Sequence, residues 1–105
     1  MKILFDQGTP APLRSHLAGH TVTTAFEQGW SQLHNGDLLR QAEAAGFDLF
    51  LTTDQCLQYQ QNLTSRQIAI VVLSTTSWPR IQRKLELVVA AVGRTNPGSF
   101  AEVRI

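Results

Sequence analysis

Short apolar runs alternate along this chain with longer segments in which apolar residues recur every three or four positions. Lys2 to Phe5 is one such run, closed by the turn-like DQGTPAP, and predicts a buried first strand followed by a loop. Pro10 or Pro12 then opens a helix over residues 12–18 (PLRSHLA), stopped by Gly19. The β-branched stretch HTVTTAF predicts a second strand, and EQGWSQLHNG a loop. Asn35 is placed to cap a helix whose Leu38, Leu39, Ala42 and Ala45 recur at helical spacing before Gly46 ends it. DLFLTT is the expected third strand. Residues 54–61 predict a short polar helix and 67–73 (QIAIVVL) a strand buried on both faces. WPRIQRKLELVVAAVGR predicts one helix with Ile81, Leu85, Val88 and Val92 on its inner face, and SFAEVRI alternates as an edge strand does.

Strands separated by helices need crossover connections, which favour parallel pairing. The expected fold class is therefore α/β, a three-layer α/β/α sandwich around a mainly parallel sheet of four to five strands. With 105 residues, 43% of them hydrophobic, the chain suits a single domain over 1–105 with one modest core. A formal net charge of +1 carries no global sign of polyanion binding, so a nucleic acid would have to be met by a local patch. The single cysteine, Cys56, excludes an internal disulfide and a cysteine-based zinc site, and is expected to be a small buried apolar residue. No secretory leader opens the sequence and no apolar run approaches the ~20 residues that span a bilayer, so the expectation is a cytoplasmic protein with no membrane contact.

In open α/β sheets a ligand sits in the crevice beyond the carboxyl ends of the strands. Asp6 and Asp54 stand at two such ends, Ser74 to Ser77 follow a third, and Asp37 lies in the first turn of a helix that starts on the same rim. Three carboxylates converging there would repel one another and gain from a hard cation, which takes oxygen ligands and leaves positions for water and phosphate. Removing one charge from such a cluster would leave stability level or raised. Each aspartate taken singly is also a good helix cap, worth about 1 kcal/mol. Both readings of Asp54 stand at this stage, although three acids on one predicted ligand edge favour the site.

Other residues divide similarly. Thr52 and Thr53 alternate, so only one faces the rim, where it would orient Asp54 or a water. Arg80, Arg83 and Lys84 follow Trp78 near Ser74 and Thr75; together they would hold RNA phosphates and stack a base, or form an ordinary wet helix face with Trp78 covering the core edge. Glu43 is expected to pair with Arg40, and Asp48 to face the opposite edge of the sheet. His16, His20 and His34 are too scattered for a zinc pattern.

The stretch DLLRQAEAAGFDLFLTTDQ resembles the PIN-domain signature, in which an Asp opens a helix of the form D-x-[LI]-[IL]-x-x-A, a Gly closes it and an apolar strand ends in T-x-D. Those positions are Asp37, Leu38, Leu39, Ala42, Gly46 and Asp54, and the opening MKILFDQGTP is similar to the start of short VapC-like PIN proteins. The resemblance implies a Mg²⁺- or Mn²⁺-dependent endoribonuclease acting on single-stranded or structured RNA, commonly as the toxin of a toxin–antitoxin pair, with Asp6, Asp37 and Asp54 as metal-binding catalytic acids. By their place on the same rim, Thr53, Ser74, Thr75, Trp78, Arg80 and Arg83 are the candidate RNA or phosphate contacts; the resemblance adds a small DNA-binding antitoxin as candidate partner, and a second copy of the chain is a further candidate. Full-length PIN ribonucleases carry a further acid between the first strand and the signature. Glu27 is the only acid between Asp6 and Asp37, and it either replaces that ligand or is solvated, the second being favoured. The competing function is a non-catalytic PIN-like interaction module with a degenerate acidic site. Flavodoxin- and receiver-like domains also gather aspartates at strand ends, but a receiver needs a lysine after a late strand, where this chain has Ser74 to Ser77.

Overall fold

The computed structural model describes residues 1–57 and 66–105. Five strands, β1 (Lys2–Phe5), β2 (Thr21–Thr24), β3 (Leu49–Thr52), β4 (Ala69–Leu73) and β5 (Phe100–Val103), form one sheet in the order β2-β1-β3-β4-β5. Every pairing is parallel. This is the three-layer α/β arrangement expected from the strand–helix alternation.

The sheet is covered on both faces because its central strands are apolar at successive positions, which sends side chains to opposite sides. Ile3, Phe5, Leu49, Leu51, Val71 and Leu73 point to one face, where Leu13, Ile81, Val88 and Val92 cover them. Leu4, Phe50, Ile70 and Val72 point to the other, beneath Leu38, Leu39 and Ala42 of α1 (Asn35–Ala44). Gly46 adopts φ 83° just after α1, a left-handed conformation that lets the chain turn into β3.

Local detail departs from expectation where prolines or long-range contacts intervene. Residues Ala11–His16 form a 3-10 helix: Pro10 and Pro12 lack amide donors, and the hydrogen bonds are short-range ones such as Leu13 N to Pro10 O at 3.1 Å. The single helix expected over 78–94 is two, α2 (Trp78–Gln82) and α3 (Leu85–Gly93), because Lys84 at φ −126°, ψ 30° leaves the helical region. Ile81, Val88 and Val92 keep their inward face, while Leu85 is half-buried. Half of the polar helix expected over 54–61, residues 58–61, lies outside the described residues, and residues 55 and 56 of the rest form a turn. Cys56 is exposed rather than buried, since it stands in the turn leaving β3. Glu43 accepts hydrogen bonds from Gln67 N (2.9 Å) and Ile68 N (3.3 Å) instead of pairing with Arg40. Asp48 accepts from Lys2 N at 2.8 Å, at the edge opposite the strand carboxyl ends. Among the described residues no helix is long and apolar enough to cross a membrane.

The strand order decides where a ligand crevice opens. From β1 the chain turns to β2 on one side, whereas β3 lies on β1's other side, so the loops leaving β1 and β3 go to opposite faces. Leu13, after β1, packs on one face and Leu57, after β3, on the other. In doubly wound sheets of this order the crevice lies between those two strands.

Candidate functional site at the β1–β3 switch point

Asp6 follows β1 and Thr52 ends β3. The register pairs Leu4 with Phe50 and Phe5 with Leu51, and the ladder continues as Asp6 N donates to Leu51 O at 3.3 Å. One step further along the same ladder, Asp6 stands beside Thr52 with both side chains on the α1 face. Asp6 is 5% exposed and Thr52 fully buried.

A buried carboxylate is costly unless its oxygens find donors. Asp6 Oδ1 accepts from Thr9 N (3.0 Å) and Thr9 Oγ1 (2.6 Å). Its Oδ2 accepts from Thr52 Oγ1 (2.5 Å) and from Asn35 Nδ2 (3.5 Å). Thr52 Oγ1 in turn accepts from Asp54 N at 3.0 Å. Asp54 caps the turn that follows it, Oδ1 accepting from Cys56 N at 3.0 Å, while its Oδ2 accepts from the same Asn35 Nδ2 at 3.0 Å. Asp54 therefore caps with one oxygen and turns the other to an amide it shares with Asp6. Asp6, Asn35 and Asp54 line a cleft of about 440 Å³ together with Gln7, Gly8 and His34. The first turn of α1 faces it, so the positive end of that helix's dipole lies on the acidic side of the cleft.

Asp37 stands elsewhere. Its carboxylate pairs with Arg40 on the exposed side of α1, and it is not among the cleft's lining residues. The reason is helical geometry: at ~100° per residue, positions 35 and 37 point about 200° apart, so the turn that sends Asn35 into the crevice sends Asp37 out of it. The expected convergence of three acids becomes two acids and an amide, and among the described residues no three His, Cys, Asp or Glu side chains are grouped to hold a metal. Asn35 was expected to cap α1. It is instead the first helical residue, after His34 as N-cap, and shares the buried stripe of Leu38, Leu39 and Ala42 at i+3, i+4 and i+7. That stripe was the available sequence signal.

Glu27 is neither a ligand of this cleft nor merely solvated. Its oxygens accept from Arg14 Nη2 (2.5 Å) and Nη1 (3.1 Å) and from Thr24 N (2.9 Å), while Glu27 N donates to Thr24 Oγ1 at 3.1 Å. The hydrogen bond from Arg14, then that from the Thr24 backbone, lowers its carboxyl pKa from 4.5 to about 2. Glu27 ties the turn after β2 to the 3-10 helix.

The candidate RNA contacts scatter around the same rim. Gly8 lies against Thr53: a Cβ on Gly8 would come within 2.4 Å of Thr53 Oγ1. Ser74 Oγ accepts from Ile105 N at 2.8 Å, and Ser74 lines a separate cleft of about 400 Å³ with Gln55, Arg80 and Arg104. Thr75 Oγ1 accepts from Ser77 N at 3.1 Å, and Ser77 caps α2 by accepting from Arg80 N at 3.4 Å. Arg80 also donates to Ile105 O at 3.1 Å, and Arg83 is exposed at the end of α2. Trp78 packs on the core edge, its ring 5.6 Å from that of His16, and reaches a cleft that adjoins Asp6 from the other side. Comparison of the chain with family models, with characterised proteins and with solved structures returns no match.

Proposed function

We propose that the chain is a divalent-metal-dependent, PIN-like endoribonuclease for single-stranded RNA, with Asp6 and Asp54 as its principal metal-holding acids. The observation that carries this reading is the Asn35 amide lying between Asp6 Oδ2 (3.5 Å) and Asp54 Oδ2 (3.0 Å) at the strand-end crevice. Two carboxylates that share one small donor present a pair of oxygens a cation would serve better. The available donors fit a hard ion: two carboxylates and an amide whose oxygen comes into reach when it rotates, a set suited to Mg²⁺ or Mn²⁺. Such an ion would supply charge neutralisation at a phosphate and an acidified water. The chain's own residues supply the rest: Thr9 and Thr52 hold Asp6 in one rotamer, the cap to Cys56 N orients Asp54, and the α1 N-terminus favours an anion beside them.

The test is a single-stranded RNA substrate with and without Mg²⁺ or Mn²⁺. Cutting should require the metal and vanish in Asp54→Asn, while Asp37→Asn, altering a side chain that faces Arg40, should retain more activity. Metal should also raise the melting temperature of the wild type and not of Asp54→Asn. Toxin status would show as a neighbouring reading frame for a small DNA-binding antitoxin, and a homodimer by light scattering.

The non-catalytic interaction module is the second reading, favoured by the commitment of Glu27 to Arg14 and of Asp37 to Arg40. It requires that neither RNA cutting nor metal-dependent stabilisation occur. The strand order is also that of flavodoxin- and receiver-like sheets, but Ser74 to Ser77 after β4 contain no lysine for receiver chemistry.

A further inference from the structure

Phe26 is the most exposed large apolar side chain among the described residues, at 78%. Its exposure goes with a tightly tied turn. Ala25 N donates to Phe5 O (2.9 Å), Gly29 N to Phe26 O (3.0 Å) and Trp30 N to Ala25 O (2.9 Å). The reciprocal Thr24–Glu27 hydrogen bonds close the turn from within, and the Arg14 fork on Glu27 holds it to the 3-10 helix. The ring is thus presented outward by a backbone fixed on both sides.

It borders a cleft of about 670 Å³, large enough for a nucleoside, with Trp78 and Pro10 as further apolar walls. This cleft and the acidic one share Asp6, Gln7 and Gly8, so the two open on either side of the loop leaving β1. The charged side chains that line it besides Asp6 are Arg14 and Glu27, which neutralise each other. Away from Asp6, then, the cleft suits a flat neutral group with a π-face better than a phosphate. A polynucleotide lying across the shared loop would set a phosphate by Asp6 and Asp54 and a neighbouring base in this second cleft.

We propose that the cleft beside Phe26 is a nucleobase subsite, in which the base next to the scissile phosphate stacks on Phe26 and restricts the acidic site to unpaired RNA. The inference rests on the ribonuclease reading. A base in a duplex is already stacked and paired and cannot turn into the cleft without leaving its partner, so selectivity for single strands follows from the subsite.

The test measures binding apart from cutting. Fluorescein-labelled oligouridylate and a blunt RNA duplex of equal length are titrated by anisotropy onto protein with Asp54 intact, in Ca²⁺ in place of Mg²⁺ so that binding is read apart from cutting, with and without Phe26→Ala, Phe26→Leu or Phe26→Trp. Loss of one stacked base should weaken single-strand binding roughly tenfold in Phe26→Ala. Leu should not restore it, Trp should, and duplex binding should barely change. In Mg²⁺, Phe26→Ala should raise KM and leave kcat. Circular dichroism and the melting temperature should stay at wild-type values, since the side chain is largely exposed.

Equal single-strand affinity with and without the Phe26 ring would overturn the subsite and leave the ring as a contact for a protein. RNA bound through Phe26 but never cut would uphold the subsite and overturn the ribonuclease reading. Absence of both binding and cutting would overturn both.

Discussion

Replacing Asp6 by asparagine keeps the side chain's shape and changes one oxygen to an NH2 group. In the folded protein Asp6 takes four donors: Thr9 N, Thr9 Oγ1, Thr52 Oγ1 and Asn35 Nδ2. Hydrogen bonds to a charged acceptor contribute ~1.5–3 kcal/mol each. The amide loses the charge for all four, and whichever oxygen is replaced sets a donor against donors. Hydroxyl rotation at Thr9 or Thr52 and relief of repulsion with Asp54 recover part of this. A net loss of about 2–3 kcal/mol remains, a fall of roughly 8–15 °C in melting temperature for a domain of this size. Asp54→Asn should cost less, about 1 kcal/mol at most, because asparagine keeps the cap through its Oδ1 and relief of repulsion with Asp6 offsets the lost Asn35 bond, which a flip of Asn35 could restore only by setting its oxygen against Asp6. Urea unfolding with a constant m-value measures both, and thermal melts check them. This reverses for Asp6 the level or raised stability expected from repulsion within an acidic cluster. If Asp6→Asn is as stable as the wild type, repulsion dominates and the hydrogen-bonded account of Asp6 is wrong.

Two further outcomes follow from the loops on either side of the site. Glu27 titrates at about 2 folded against 4.5 as its ordinary value, so the unfolded chain binds more protons between those values; the stability it contributes is complete above about pH 4.5 and is lost as the pH falls toward 2. A carbon-detected NMR titration should find the Glu27 midpoint near 2 and moved back toward 4.5 in Arg14→Gln, whereas a wild-type midpoint near 4.5 would remove the clamp. Gly8→Ala sets a Cβ 2.4 Å from Thr53 Oγ1 and should cost about 1–3 kcal/mol in chemical denaturation. Thr53→Ala in the same chain should recover most of that, and strictly additive costs would show that no clash exists.

The local pattern of residues carried the fold class by itself. Strands such as KILF and AIVVL, apolar at successive positions, can be buried only between two covering layers, and the helical stretches between them force parallel crossovers. Strand-end position likewise marked Asp6 and Asp54, because the turn that ends an apolar run is where the chain reaches the carboxyl rim. Periodicity also held the correction to Asp37: Asn35, Leu38, Leu39 and Ala42 form one stripe, and Asp37 lies off it. Reading Asp37 by its motif position alone passed over that angle.

Only the tertiary structure decided the strand order, and with it the neighbours of Asp6. Local periodicity is the same whether β1 lies beside β3 or at the sheet edge, yet the β1–β3 register alone brings Thr52, 46 positions away, to 2.5 Å from the Asp6 carboxylate. The partner of Glu27 is hidden for the same reason. Arg14 is 13 positions away on another element, and their hydrogen bonds exist once β2 and the 3-10 helix stand side by side. Side-chain type and spacing determine which face a residue takes within its own element, while partners across elements depend on how those elements pack, a long-range outcome that no local window contains.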